Sequence, residues 1–167
     1  VYLKNLISLG LLTREFPVLS TEKEKQNMQR GVYKLHDLFF RFWYRFVFSN
    51  YSALEFGDWE NIYDVIVEPQ LNNYVSFPFE DICIEWLRSK NKKRELPFIF
   101  TDIGRWWSKD IEIDIIATNE DKSEILSAEC KFHNSLINDS DLQKHLNKNI
   151  RSLKKKDNAV LHVWYFS

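Results

Sequence analysis

Two stretches of alternating apolar and polar residues constrain the fold of this chain more than any other feature. Ile111 to Thr118 and Glu124 to Phe132 both follow the period of two that is typical of half-buried β-strands. The polar stretch from Asn119 to Ser123 separates them and suits a tight turn. The sequence therefore predicts a β-hairpin in the second half of the chain.

The register of this hairpin follows if its turn is centred on Asp121 and Lys122. Apolar residues then face each other along one side of the two strands, which is the arrangement that a buried sheet face requires. The predicted pairs are Ile111 with Phe132, Ile113 with Cys130, Ile115 with Ala128, and Ala117 with Leu126. One face of the hairpin is therefore expected to belong to the core.

The other face of the predicted hairpin brings charged side chains together. Asp114 stands opposite Glu129, and Lys131 follows Glu129 on the same face. Glu112 stands opposite Lys131. Opposed carboxylates repel each other, and their hard oxygens suit Mg²⁺ or Mn²⁺, which keep several waters. A lysine beside such a metal can position or deprotonate an attacking water. The set predicts a phosphodiesterase-type site, although it also fits the solvated face of an ordinary hairpin.

Further elements around the hairpin complete an α/β pattern. Leu96 to Trp107 predicts another strand, Asp139 to Lys155 a helix and Ala159 to Phe166 a final strand. Before them, apolar residues recur at helical spacing after Pro78, which suits the first turn of a helix. They are Phe79, Ile82, Cys83, Trp86 and Leu87. The predicted order over residues 71–167 is α-β-β-β-α-β.

The predicted helix from Asp139 to Lys155 carries a basic ridge on one side. At 100° per residue its members lie within about 60° of one another. They are Lys144, Lys148, Arg151 and Lys155. A surface that follows nucleic-acid phosphates and an ordinary solvated face both fit this pattern. Arg105, just ahead of Trp106, is a further candidate for phosphate contact.

The first 36 residues predict a partial winged-helix module. A short helix ends near Gly10, and two strands follow at Leu11 to Leu19 and Gly31 to Leu35. DNA binding and protein contact both fit such a module. The polar stretch between the strands mixes basic and acidic residues, so we favour protein contact. Its charged residues are Glu22, Lys23, Glu24, Lys25 and Arg30.

Residues 37–70 predict a helical connector. Asp37 suits the N-cap of a helix that runs to Phe48 and carries an aromatic stripe expected in the core. The stripe comprises Phe39, Phe42, Trp43, Phe46 and Val47. A second helix is predicted from Asp58 to Val67, ended by Pro69.

Composition excludes several classes of protein. In 167 residues, 44% are hydrophobic and only four are glycine and four proline, which argues against disorder. Cys83 and Cys130 lie in apolar stretches without metal-ligand spacing, which favours reduced thiols in the cytoplasm. The apolar run from Leu38 to Phe48 is too short to span a bilayer, so no membrane partner is expected. The chain begins with Val and a helix, so we expect a longer protein.

Four stretches of this sequence carry a resemblance that covers nearly the whole chain. They are His36-Asp37 through Phe40-Arg41-Phe42-Trp43, Ile103 to Trp107, Glu112 to Ile115, and Glu129-Cys130-Lys131. Together they resemble the PD-(D/E)XK nuclease superfamily and, more closely, the domain of unknown function 234 family found at the C-terminus of ATPases of archaeal type. The implied fold is a restriction-endonuclease-like αβββαβ core.

The resemblance also implies roles for individual residues. Asp114 and Glu129 are implied metal ligands, assisted by the backbone carbonyl of Cys130, and Lys131 is the implied catalytic lysine. Glu80 matches an additional acidic residue that many superfamily members carry. Ile113 occupies the position of the proline for which the superfamily is named, and this proline is often replaced.

The first hypothesis is therefore a Mg²⁺- or Mn²⁺-dependent nuclease that hydrolyses phosphodiester bonds in DNA. Its expected partners are DNA and an ATPase domain upstream in the same polypeptide, with a homo-oligomer as a further option. No Gly-x-x-x-x-Gly-Lys motif occurs in this chain, so nucleotide hydrolysis is not expected here. The alternative is a non-catalytic nucleic-acid-binding or regulatory domain of that ATPase. A winged-helix transcription regulator is disfavoured because only half of the module is present.

Overall fold

The computed structural model shows a mixed α/β chain with a two-stranded and a four-stranded sheet and helices between them. The structure describes residues 2–26, 31–109, 111–132, 140, 143–144 and 159–167. Within these residues, no helix is both long and apolar enough to cross a membrane.

The N-terminal unit is a helix followed by a β-hairpin, as predicted. Helix α1 spans Tyr2–Ser8, and Gly10 ends it with a φ of 72°, in the left-handed region that favours glycine. Strands β1 (Leu12–Glu15) and β2 (Val32–Leu35) pair antiparallel. Strand β1 is shorter than predicted. The winged-helix identity of this unit stays a prediction.

A short helix, α2 (Glu22–Gln26), occupies part of the predicted loop between β1 and β2. Its start is a reciprocal cap: Thr21 N donates to Glu24 Oε2 at 2.9 Å, and Glu24 N donates to Thr21 Oγ1 at 3.3 Å. This Thr-x-x-Glu pattern is a capping box and was visible in the sequence. Lys23 and Lys25 therefore lie on a helical turn, whereas Arg30 lies outside the described residues.

The connector begins with α3 (Leu38–Phe42), and its predicted cap is confirmed because Phe40 N donates to Asp37 Oδ1 at 3.1 Å. A π-helix (Trp43–Val47), a 3₁₀ turn (Phe48–Asn50), α4 (Tyr51–Glu55), α5 (Trp59–Ile62) and a second π-helix (Tyr63–Val67) follow. The aromatic stripe is only partly core. Phe46 is 1% exposed, as predicted, but Phe39 is 64% exposed.

Helix α6 (Glu68–Lys92) contradicts two predicted helix boundaries. Pro69 does not end a helix; it is the second residue of α6, which continues directly from the π-helix Tyr63–Val67. Pro78 does not begin a helix either, because α6 passes through it. Burial explains the tolerance of Pro78: α6 buries side chains on both sides of it, including Tyr74 and Leu87, and this packing outweighs one lost hydrogen bond.

The four-stranded sheet has the order β3-β4-β5-β6. Its strands are β3 (Asp102–Trp107), β4 (Glu112–Thr118), β5 (Glu124–Cys130) and β6 (Val160–Phe166). The first two pairings are antiparallel and the last is parallel. Most of the helix predicted between β5 and β6 lies outside the described residues. Ser140, Gln143 and Lys144 are helical.

Strand β3 begins later than the predicted strand, and Phe100, just ahead of it, is tied to the end of α6 instead. Phe100 N donates to Asn91 Oδ1, and Asn91 Nδ2 donates to Phe100 O, both at 3.0 Å. The side-chain amide of Asn91 thus satisfies both the N–H and the C=O of Phe100, which a neighbouring strand would otherwise do. Phe100 is consequently buried, at 7% exposed.

The predicted hairpin register is confirmed near the turn and wrong at its open end. Ile115 pairs with Ala128 and Ala117 with Leu126, as expected. These residues pack against α6, whereas Ile113 packs on the opposite face of the sheet. The prediction that Ile113 shares a face with Ile115 is therefore wrong. The cause is a shift in the pairing of β4 with β3.

Two apolar clusters cover the two faces of the sheet. On one face, α6 contributes Cys83, Ile84 and Leu87 to a cluster with β4 and β5. On the other face, Val18 and Leu19 pack on a cluster of isoleucines. They are Ile113, Ile116 and Ile125. The polar residues Thr118 and Ser127 are also buried, so this end of the hairpin is covered on both sides.

Leu87→Ala should lower the free energy of unfolding by about 2–5 kcal/mol, because it leaves a cavity between α6 and the sheet. Leu87 is 0% exposed, whereas Ile82 on the same helix is 63% exposed and provides the matched control. Urea unfolding of both variants measures the difference. Equal losses for Leu87→Ala and Ile82→Ala would contradict this account of the core.

Candidate active site

A β-bulge in β4 positions Asp114. Gly104 pairs with Ile116, but Trp106 pairs with Ile113, so Asp114 and Ile115 together face the single residue Arg105. Such a bulge reverses the alternation of side chains along the bulged strand. Asp114 therefore lies on the α6 face of the sheet, although the unbroken alternation in the sequence predicted it on the face away from Ile115.

The carboxylate of Asp114 is fixed on the backbone of the neighbouring strand. Cys130 N donates to Asp114 Oδ2 at 2.8 Å. Cys130 lies between Glu129 and Lys131, so this bond holds Asp114 against the Glu-x-Lys segment. The structure thus places Asp114 against the main chain of the Glu-x-Lys segment, near enough for its charge to act on Lys131.

Lys131 forms an ion pair with Glu129, at 2.7 Å between Nζ and Oε1. The sequence allowed Glu112 as the partner of Lys131, and this expectation is wrong because the bulge turns Glu112 toward Arg105. Burial acts to lower the pKa of Lys131, but the hydrogen bond and charge of Glu129 and the charge of Asp114 outweigh it and raise the pKa. Lys131 is therefore a cation at neutral pH.

Arg105 is the centre of a second group of charges beside Asp114. Its guanidinium lies 2.8 Å from Glu112 Oε1, 3.1 Å from Glu80 Oε2 and 3.8 Å from Glu15 Oε2. The Glu80 contact is close but poorly aligned, since neither atom has a hydrogen bond. Burial acts to lower the pKa of Arg105, but these carboxylates raise it. The role of Arg105 in phosphate contact stays a prediction, and its side chain is 11% exposed.

Glu80 lies in the middle of α6; a helix that began after Pro78 would have placed it in a first turn. Its side chain is buried beside Arg105. Burial raises the pKa of Glu80 from 4.5 to about 7; Arg105 opposes this shift, and the charges of Asp114 and Glu112 add to it. Glu80 is consequently divided between its neutral and ionised forms near pH 7.

The donor groups around Asp114 partly fit a divalent metal. Asp114 and Glu129 offer the hard oxygens that Mg²⁺ and Mn²⁺ prefer, and Mg²⁺ needs few protein carboxylates because it keeps waters. Within the described part of the chain, no three His, Cys, Asp or Glu side chains are grouped so as to hold a metal. Glu80 therefore does not complete a three-carboxylate set with Asp114 and Glu129; it contacts Arg105. The carbonyl of Cys130 stays a predicted ligand.

The predicted basic ridge is largely untested by the structure. Lys144 is exposed and helical. Lys148, Arg151 and Lys155 lie outside the described residues. Their contact with nucleic acid stays a prediction.

Sequence reasoning missed two features of the site. One is the group of three carboxylates around Arg105, which comes from β1, α6 and β4. No local pattern links these three elements. The other is the grouping of the two thiols: Cys83 on α6 and Cys130 on β5 are buried in the same apolar cluster. The apolar stretches around the two cysteines predicted that both are buried, but not that they share one cluster.

The fold and this group of charges define a mixed α/β protein with an acidic centre against its sheet. A family model described as archaeal and bacterial proteins of unknown function, DUF234, matches residues 43–150. The chain belongs to this family. An uncharacterized protein of Methanocaldococcus jannaschii is 38% identical over 144 residues, which are 86% of this chain and 30% of that protein. No solved structure matches the chain.

The family match contains most of the site. Residues 43–150 include Glu80, Arg105, Asp114, Glu129 and Lys131. Glu15 lies ahead of the matched stretch. The chain spans under a third of the length of the archaeal relative, at 30%.

The raised pKa of Glu80 predicts a pH-dependent stability. Between pH 4.5 and about 7 the folded chain holds more protons on this carboxyl than the unfolded chain does. The contribution of Glu80 to the stability of the folded chain is therefore complete at low pH and is lost as the pH rises through about 7. The melting temperature of Glu80→Gln should rise relative to wild type over this range.

Thermal melts of both proteins from pH 4.5 to 8.5 measure this change. Glu85→Gln removes an exposed carboxylate from the same helix and serves as the control. A constant difference between Glu80→Gln and wild type across the range would show that Glu80 titrates normally in the folded chain.

Proposed function

We propose that this chain carries a metal-dependent nuclease site of the PD-(D/E)XK type, with Asp114, Glu129 and Lys131 as its active residues. The observation that carries the proposal is the hydrogen bond from Cys130 N to Asp114 Oδ2 at 2.8 Å. It joins the acidic residue of one strand to the Glu-x-Lys segment of the next. DNA is the proposed substrate, and the upstream ATPase domain is the proposed partner.

The charge balance supports a cation at this position. Asp114 and Glu112 lie close enough to Glu80 for their negative charges to raise its pKa. Arg105 and Lys131 offset part of this negative charge. A hard divalent cation bound by Asp114 and Glu129 would offset more of it, and no cysteine sulfur is needed as a ligand.

The proposed reaction is hydrolysis of a phosphodiester. Water adds to phosphorus, the bond from phosphorus to the leaving oxygen breaks, and that oxygen takes up a proton. A bound divalent metal would acidify the attacking water and polarise the phosphate. Because the pKa of Lys131 is raised, Lys131 acts as a cation that stabilises the charged phosphate and orients the water. The general-base role that the sequence also allowed is therefore disfavoured.

Lys131→Ala should abolish Mn²⁺-dependent cleavage of DNA while leaving metal affinity nearly unchanged, because the lysine serves the phosphate and is not a ligand. Plasmid and oligonucleotide cleavage measures activity, and calorimetry with Mn²⁺ measures affinity. Lys92→Ala, at the exposed end of α6, is the matched control and should cleave like wild type.

Two results would contradict the proposal in different ways. Equal cleavage by wild type and Lys131→Ala would remove Lys131 from the mechanism. Binding of DNA without cleavage by wild type in Mg²⁺ or Mn²⁺ would favour the alternative, a nucleic-acid-binding or regulatory domain.

Asp114→Asn tests the carboxylate without a substrate. Asparagine can still accept the hydrogen bond from Cys130 N, but it removes a charge near Glu80 and Glu112. We expect a melting temperature in EDTA a few degrees above that of wild type, since such like-charge contacts cost up to about 1 kcal/mol. Mn²⁺ should raise the melting temperature of wild type alone. A less stable variant in EDTA, with no response of either protein to Mn²⁺, would make Asp114 a structural acceptor.

A further inference from the structure

A cleft separate from Asp114 and Glu129 lies between the β1–β2 hairpin, the segment of α3 and its π-helix, and α6. Its volume is about 540 Å³, within the range of roughly 300–1,000 Å³ that is usual for small-molecule sites. Basic and aromatic side chains line much of it. The ones that matter here are Tyr33, Arg41, Tyr44, Arg45, Phe77 and Arg105. We call it the arginine cleft.

Two arginines of this cleft have a buried nitrogen without a hydrogen bond in the described part of the chain. Arg105 has carboxylates around it, whereas Arg41 has no ion pair there. Within the described residues Arg41 Nη1 is buried and has no hydrogen-bond partner. Its guanidinium lies 5.7 Å from the ring centre of Tyr74 and 5.5 Å from that of Phe77. These rings orient the cation but accept no conventional hydrogen bond from it. A buried donor without an acceptor is costly, so an anionic acceptor in the cleft would stabilise this arrangement.

The other cations of the cleft show why Arg41 is distinct. Lys34 Nζ is held by both oxygens of Asp81, at 2.8 and 2.9 Å. Arg105 is surrounded by carboxylates. Arg45, four residues after Arg41, is exposed, and its Nη2 donates to the neutral amide oxygen of Gln70 at 3.1 Å. Arg41 and Arg45 therefore form no ion pair with a carboxylate of the described residues; Glu15 also lines the cleft, where it lies beside Arg105.

We infer that the arginine cleft binds a phosphate group, with Arg41 as its principal ligand and Arg45 as the second. A single guanidinium fork satisfies the two oxygens of a carboxylate, whereas two guanidiniums from successive helical turns can reach different oxygens of a tetrahedral phosphate. The exposed rings of Tyr33 and Tyr44 at the same cleft offer apolar surface to a base attached to that phosphate. The phosphate is that of a nucleotide or of a nucleic-acid strand.

The site is independent of the proposed nuclease activity, and it is tested without divalent metal. Calorimetry in EDTA measures the binding of inorganic phosphate to wild type against chloride at equal ionic strength. Arg41→Gln should raise the dissociation constant for phosphate at least about tenfold, which is the loss of affinity expected for one charge-assisted hydrogen bond. Arg41→Lys should fall between the two, because lysine keeps the charge but lacks the fork. Arg88→Gln, which alters an exposed arginine of α6 outside this cleft, should bind like wild type.

Adenosine triphosphate and a single-stranded oligonucleotide distinguish the two sources of phosphate. Tighter binding of the nucleotide, lost in Arg41→Gln, identifies a nucleotide site; tighter binding of the oligonucleotide, lost in the same variant, identifies a strand contact. If circular dichroism shows that Arg41→Gln is unfolded, Arg45→Gln takes its place with the same expectation. The inference is overturned if wild type binds none of the three ligands, or if the arginine variants bind them as tightly as wild type. Asp114→Asn should leave this binding unchanged.

Discussion

The burial of α6 against the β4–β5 hairpin is the interaction on which the rest of the structure depends. Leu87 and the apolar residues around it remove one face of the sheet from water, and the same helix carries Glu80 into the interior. This burial is strong enough to carry a helix through Pro78. Without it, Glu80 would not be held near Arg105 and Asp114.

The site is assembled by a backbone irregularity rather than by the regular strand. The bulge opposite Arg105 turns Glu112 and Asp114 to the helix side, where Arg105 and the carboxylates of three elements meet. Lys131, directly after β5, forms an ion pair with Glu129, and Cys130 N donates a hydrogen bond to Asp114. Burial is the main cause of the raised pKa of Glu80, and the charges of Asp114 and Glu112 add to it. The negative charge of these carboxylates is also the reason for proposing a cation beside Asp114.

The two basic regions of the chain differ in how they are arranged. The carboxylates around Arg105 leave little positive charge there for an anion. Arg41 lies in the arginine cleft with aromatic rings on its faces and a buried donor. A π-helix begins directly after α3 and carries Arg45, and such widened turns are frequent at functional sites. Glu15 and Arg105 also line the arginine cleft, so the surface that fits a phosphate adjoins the acidic centre.

The sequence by itself determined the local elements: the helix ended by Gly10, the Asp37 cap, and the hairpin register from Ile115 to Thr118. It also gave Asp114, Glu129 and Lys131 as candidate site residues, although the alternation placed Asp114 on the wrong face of the sheet. Only the tertiary structure decided the passage of α6 through Pro78, the bulge at Asp114 and the pairing of Arg105 with Glu80. Each of these depends on contacts between distant segments, and the free energy of such burial exceeds local preference.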